Sequence, residues 1–144
     1  MPTVFHGTKH ADATTMAGPA SGNGTIDVSR GGGEFGKGFY TQKKRAHAMA
    51  WAINRFSPSD LPCVLKLEVD DGKYLALDVK LLDLKDARKL TQKLRQQKRT
   101  KSHTEGKDVV AGPLNLDPRR EQQKFESSDA EDLLNGPDTQ REVP

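Results

Sequence analysis

The apolar positions of this chain fall in short segments separated by polar and glycine-rich stretches. Thr3, Val4 and Phe5 are β-prone and predict a strand ending at His6-Gly7-Thr8. A short helix is expected over residues 10–17. Residues 18–36 carry Gly22, Gly24 and Gly31-Gly32-Gly33. They read as a long surface loop, and such loops in compact domains are usually functional or mobile. Phe39-Tyr40-Thr41 closes the loop as a strand. Ala46, Met49, Ala50, Ile53 and Phe56 recur at spacings of three and four. That stripe predicts a helix over residues 43–56, with Trp51 also read as core. Val64, Leu65, Leu67 and Val69 predict a buried strand. Asp71-Gly72 is a hairpin signal, which makes residues 74–79 the returning strand. Leu81, Leu84, Ala87, Leu90 and Leu94 predict an amphipathic helix running to residue 97, followed by a flexible polar loop over 98–107. Val109, Val110 and Ala111 form a short strand stopped by Gly112-Pro113, and residues 122–125 a last strand. Ala130, Leu133 and Leu134 predict a final helix behind the cap candidates Ser127 and Ser128. The order reads as α+β. It makes one domain of residues 1–134, with a polar tail over 135–144 expected to fray.

Composition narrows this picture. The hydrophobic fraction of the 144 residues is 33%, so the core is expected to be thin. No apolar run approaches the ~18 residues of a membrane span. No basic region followed by an apolar run marks a secretory signal. Cys63 alone makes no internal disulfide, and no second Cys/His pair lies at ligand spacing, so no metal is expected. Cys63 reads as inert packing. The net charge of +3 is unevenly spread. Residues 73–107 hold 11 basic and 4 acidic side chains, whereas residues 108–144 hold 4 and 9. The basic block runs chiefly from Arg88 to Lys107. It fits nucleic acid, an acidic partner or a merely solvated face. No aromatics are interleaved there for base stacking.

Two segments can carry chemistry. In Phe5-His6-Gly7-Thr8, a histidine able to meet a ligand hydroxyl precedes a glycine whose bare backbone a ligand can approach. In Phe35-Gly36-Lys37-Gly38-Phe39-Tyr40-Thr41, two glycines precede aromatics able to stack on a ring. Read singly, His6 fits a hydrogen-bonded structural histidine, and Phe39 and Tyr40 fit strand and core. Together, Val4 to Thr8 and Glu34 to Thr41 resemble the ADP-ribosyltransferase fold family, in its histidine-tyrosine branch of diphtheria-toxin-like enzymes and poly-ADP-ribose polymerases. Small bacterial toxin-like domains are the nearest look-alikes. The helix with Ala46, Ala50 and Trp51-Ala52 falls at that family's usual place. Asp108-Val109-Val110-Ala111-Gly112-Pro113 and Gln122-Gln123-Lys124-Phe125 match its later Asp-x-Val-x-Gly-Pro and Gln-x-x-Phe segments. The likeness covers about residues 3–134.

The resemblance implies a split β-sandwich of two small antiparallel sheets with flanking helices and an NAD cleft. NAD is then a substrate rather than a resident cofactor. His6 would hydrogen-bond a ribose hydroxyl, the Gly7 backbone would hold the carboxamide, and Tyr40 would stack on nicotinamide. Thr8, Arg30, Gly38 and Phe39 would join the NAD-contacting set, with Ser29 and Arg30 near its phosphates. Many relatives carry a glutamate where this chain aligns Gln122. Glu126 and Glu121 are its rivals, and Gln122, Lys124 and Glu126 share one strand face. With Phe125 in the core, that face is expected to look outward or into the cleft. A glutamine holds a hydroxyl but is no general base at neutral pH. The expectation is a mono-ADP-ribosyltransferase toxin domain acting on protein or nucleic acid. It would be monomeric, secreted or injected within a larger protein, active in the target-cell cytoplasm, and matched by an immunity protein. The alternatives are a nucleic-acid-binding or nuclease toxin using residues 88–107, and an inactive NAD- or ADP-ribose-binding module.

Overall fold

Strands and helices interleave along the chain, giving a mixed α+β protein. The computed structural model describes residues 2–19, 22–115 and 117–144. In chain order the elements are β1 (Thr3–Lys9), α1 (His10–Ala17), β2 (Phe39–Gln42), α2 (Arg45–Arg55), a 3₁₀ turn (Pro58–Asp60), β3 (Pro62–Val69) and α3 (Asp71–Leu75). There follow β4 (Val79–Leu81), α4 (Leu84–Gln96), β5 (Val109–Pro113), β6 (Glu121–Phe125), α5 (Ser128–Asn135) and β7 (Thr139–Glu142). The residues divide into two compact units. One holds residues up to 26, 41–76 and 132–144, and the other 27–40 and 77–131.

In the first unit, which takes only Thr41 and Gln42 of β2, the strand order is β2-β1-β3-β7, with antiparallel pairing throughout. β1 pairs with β3 from Thr3 opposite Glu68 to Lys9 opposite Pro62. The strand therefore runs through His6-Gly7-Thr8 instead of ending there, because Leu65, Val64 and Cys63 continue the ladder. The expected hairpin at Asp71-Gly72 does not form. The Asp70 carboxylate accepts the Lys73 backbone N–H at 3.0 Å and caps α3. The second edge of β3 is taken instead by β7, with Val69 opposite Thr139 and Lys66 opposite Glu142. The tail expected to fray is thus part of the sheet.

Val4, Val64, Leu65, Leu67 and Val69 are buried in this unit with Ala48 and Ala52 of α2. The predicted stripe on α2 is wrong: Ile53 is 60% exposed and Trp51 42%, so Trp51 is not core. The reason is close approach. A Cβ on Gly7 would lie 2.1 Å from the Ala48 carbonyl oxygen, so only the alanine face of α2 fits against β1. Arg55 covers Trp51 from outside, 5.5 Å from the ring centroid.

Arg141 of β7 secures the same unit. Its guanidinium donates to the carbonyls of Ala17 (3.0 Å), Gly22 (2.7 Å), Leu134 (3.0 Å), Gly136 (3.0 Å) and Thr139 (3.1 Å). Asn135 adds a reciprocal pair with Ile26, accepting its N–H at 2.7 Å and donating to its carbonyl at 2.8 Å.

In the second unit β4 runs parallel to β5, and β5 antiparallel to β6. The parallel pair departs from the expected all-antiparallel pairing. Phe35, Leu82, Ala87 and Val110 form a buried cluster against which Tyr40 and Leu90 pack. α4 starts at Leu84, with the Asp83 carboxylate accepting the Asp86 N–H at 2.8 Å. Leu82 enters the core and Leu81 is 78% exposed, one residue out of step with the predicted stripe. Asp108 ties three elements. Its carboxylate accepts the Asp78 N–H just before β4 at 2.7 Å and the Ser127 hydroxyl at 2.6 Å. Ser127 Oγ in turn accepts the Ala130 N–H at the start of α5.

Arg141→Ala removes five charge-assisted bonds and is expected to lower stability by about 2–3 kcal/mol. Arg141→Lys should recover less than half of that. Urea denaturation checks both, and no change in the midpoint would return the tail to a frayed role.

Candidate functional site

The expected site residues divide between the units. His6, Gly7 and Thr8 belong to the first, and Arg30, Gly38, Phe39, Tyr40, Gln122 and Glu126 to the second. In β1, side chains alternate between faces, so His6 and Thr8 share the face opposite Gly7. Thr8 is buried and His6 half-buried. The face of Gly7 is filled by α2, so the close neighbour its missing side chain admits is a helix carbonyl.

In the second unit the glycine-rich segment is locked rather than open. Gly33 N–H donates to the Thr100 carbonyl at 3.1 Å, Gly38 N–H to Gly31 at 3.1 Å, and Lys37 N–H to His103 at 2.8 Å. Gly36 has φ +96°, a conformation open to glycine, and an added Cβ would sit 2.2 Å from the His103 carbonyl oxygen. The Tyr40 hydroxyl accepts the Phe35 N–H at 2.9 Å and donates to the Gly36 carbonyl at 2.6 Å. Burial pushes the Tyr40 phenol well above its ordinary range, so it stays a neutral donor. An added Cβ on Gly33 would lie 2.9 Å from the Tyr40 ring carbon Cζ, so the glycine backbone lies against that ring. Arg30 is exposed, at 3.9 Å from Asp27, a pair of little energetic weight.

β6 carries the densest chemistry. Phe125 is fully buried on one face. Gln122 and Lys124 on the other, and Glu126 just past the strand's end, are buried as well, so that face does not look outward. Lys124 Nζ lies 2.7 Å from Glu126 Oε1 and donates to the Phe35 carbonyl at 2.7 Å. Glu126 also accepts N–H groups from Glu105 (2.9 and 3.1 Å) and Gly106 (3.1 Å). Its carboxylate is thereby fully engaged. Burial draws the Lys124 ammonium below its ordinary value in spite of this partner. Gln122 is different. It is 5% exposed, and its Nε2 has no hydrogen-bond partner among the described residues.

Beside this pair lies a cluster that sequence reasoning missed. Glu105 Oε2 is 2.6 Å from His103 Nε2, and its Oε1 accepts from Lys80 Nζ at 2.9 Å. Burial pushes the Glu105 carboxyl up, but the bonds from Lys80 and His103 outweigh it and leave the carboxyl below its ordinary 4.5. His103 Nδ1 is buried without a partner among the described residues. The loop expected to be flexible is thus anchored at residues 103–106. The His-x-Glu spacing was the available signal, hidden by its polar surroundings. Burial also raises the Cys63 thiol, away from reactive thiolate. Among the described residues no group of three or more His, Cys, Asp or Glu side chains can hold a metal ion. Nor, among them, is any helix long and apolar enough to cross a membrane.

No protein-family model matches this chain, and no curated protein matches it.

Glu126→Gln leaves the buried Lys124 charge without its counterion and is expected to cost about 3–5 kcal/mol. Thermal unfolding measures it, and a loss below ~1 kcal/mol would remove the pair from its structural role. The depressed Glu105 carboxyl stabilises the fold above its ordinary pKa. That contribution disappears as pH falls through the lowered value. The unfolding midpoint should therefore drop as pH is taken below 4.5, and Lys80→Gln should make the drop shallower.

Proposed function

We propose that this chain is an NAD-dependent mono-ADP-ribosyltransferase domain of the histidine-tyrosine type, built as a toxin-like effector. The single observation carrying this reading is the Gln122 amide. A buried, unpartnered donor is costly unless a ligand meets it, and it stands at the position the resemblance gives to the group that holds the ribose hydroxyl. His6 binds a ribose hydroxyl of NAD, the Gly7 backbone holds the carboxamide, and Tyr40 offers its ring to nicotinamide. Thr8, Arg30, Gly38 and Phe39 complete the binding set.

In the reaction the bond between nicotinamide and ribose C1′ breaks, and its electron pair leaves with nicotinamide. Positive charge develops on the ribose. Hydrogen-bonding groups fixed around the sugar favour that state over the ground state. The lone pair of a nucleophile on a protein or nucleic acid forms the new bond to C1′, and any proton displaced from it passes to solvent. Glu126 is excluded from the base role in this scheme because Lys124 and two backbone N–H groups hold its carboxylate. That observation favours one rival, a module that binds NAD or ADP-ribose without turning it over. Delivery within a larger protein, and neutralisation by an immunity protein, belong to the same proposal.

Purified protein is expected to release nicotinamide from NAD. Gln122→Ala and His6→Ala should each lower the rate about 100-fold. Tyr40→Phe keeps the ring and should retain most activity while losing about 1–2 kcal/mol of stability. Chromatography of nicotinamide and calorimetry with NAD read the outcome. Binding without release selects the inactive module, and neither binding nor release removes NAD from the account.

A further inference from the structure

α4 presents a second face that the core does not use. Ala87, Thr91 and Leu94 are buried, whereas Arg88, Gln92, Arg95 and Gln96 point to solvent. Arg88, Thr91, Gln92, Arg95 and Gln96 fall at helical spacing, and with Asn115 they line a groove of about 340 Å³. Its floor is built. The Thr91 hydroxyl donates to the Glu34 carbonyl at 3.3 Å, and the Asn115 N–H donates to both Glu34 carboxylate oxygens at 3.0 and 3.2 Å. Glu34, the nearby acid, is thus occupied in holding the wall. No lining residue is acidic, aliphatic or aromatic.

The charge here is also uncompensated. Among the described residues, Arg88, Lys89, Lys93, Arg95, Lys98 and Arg99 form no ion pair. Lys37, Lys85 and Lys101 of this unit likewise form none among the described residues, whereas Arg30, Lys80, Lys107, Arg119, Arg120 and Lys124 each lie within 4.0 Å of a carboxylate. Folding has therefore left a block of free positive charge along one helix and the turn after it.

We infer that this face of α4 docks the phosphodiester backbone of a nucleic acid duplex. Guanidinium groups present planar, forked donors that match phosphate oxygens, and the flanking amides add neutral donors and acceptors. Arg88 and Arg95 stand seven residues apart, about 10 Å along the helix axis, so they address separate phosphates. A protein partner is disfavoured, since the buried centre of a protein interface is rich in aliphatic and aromatic side chains and none lines this groove. Single strands are disfavoured because no aromatic side chain lines the groove to stack on splayed bases. Docking on this face does not depend on NAD chemistry.

The test is a fluorescence-anisotropy titration of the full chain, without NAD, against labelled RNA and DNA duplexes of about 20 base pairs between roughly 50 and 200 mM salt. Binding that weakens steeply with salt is expected, and whichever duplex binds more tightly identifies the source of the backbone. The double variant Arg88→Gln, Arg95→Gln should weaken binding about tenfold and reduce the salt slope by about 2. Lys66→Gln, at a cation paired with Glu68 in the other unit, should change neither. Three results would each overturn the proposal: no duplex binding at the lowest salt, unaltered binding by the double variant, or tighter binding of a single strand or of poly-glutamate of matched charge. Because NAD is absent throughout, these outcomes are independent of the nicotinamide-release assay.

Discussion

A fully buried ammonium dictates the conformation of much of the second unit. Lys124 has no exposed surface, and a charge removed from water is tolerated only where counter-charge and acceptors are fixed around it. Glu126 and the Phe35 carbonyl meet that requirement, each at 2.7 Å. Phe35 lies in the glycine-rich segment, so its position is set by the lysine. Gly38 must be glycine because an added Cβ would lie 2.4 Å from Lys124 Cγ. Glu126 in turn captures the N–H groups of Glu105 and Gly106, which fixes the loop whose His103 carbonyl receives Lys37. One buried pair thus specifies two segments that carry little apolar surface. In a chain only 33% hydrophobic, polar networks of this kind do positioning that a larger core does elsewhere.

The local signals in the sequence were good guides where the chain decides locally. Residues 10–17 formed the expected helix, and α2, α4 and α5 lie within or close to their expected spans. Failures came where a tertiary choice overrode a local one. Asp71-Gly72 carries a hairpin signature, yet Asp70 caps a helix and β7 occupies the strand edge. Nothing in the polar sequence Thr139-Gln140-Arg141-Glu142 announces a strand, because its stabilisation comes from Arg141 reaching carbonyls up to 124 residues away. The α2 stripe misled because burial there is governed by how close the helix can come to Gly7, a property of small residues that hydropathy does not register.

The candidate site was legible to a different degree. Motif spacing picked out Gly7, Gly36, Gly38 and Tyr40 as special positions, and the structure gives each a close-packing or hydrogen-bonding reason. A position can be structurally demanded and chemically used at once, and sequence cannot separate the two demands. Alternation groups Gln122, Lys124 and Glu126; Gln122 and Lys124 lie in β6, and Glu126, just past its end, meets Lys124 at 2.7 Å. What alternation could not reveal was that the opposite face is buried too, which turns three polar residues into interior groups with separate fates.

Those fates bear on the proposed chemistry. Lys124 and Glu126 satisfy one another and the neighbouring backbone, which leaves the Gln122 amide as the polar group of that face with an unpartnered nitrogen. An amide orients a hydroxyl but does not remove a proton. In such a site acceleration must come from stabilising the ribose cation, and the acceptor must bring a lone pair that is already free. Ring nitrogens of nucleobases have such lone pairs at neutral pH, and hydroxyl oxygens have them too but shed a proton as the bond forms, whereas a lysine ammonium must first lose a proton. A transferase lacking a base and a surface that gathers nucleic acid therefore make compatible demands on the same acceptor, although each rests on its own residues.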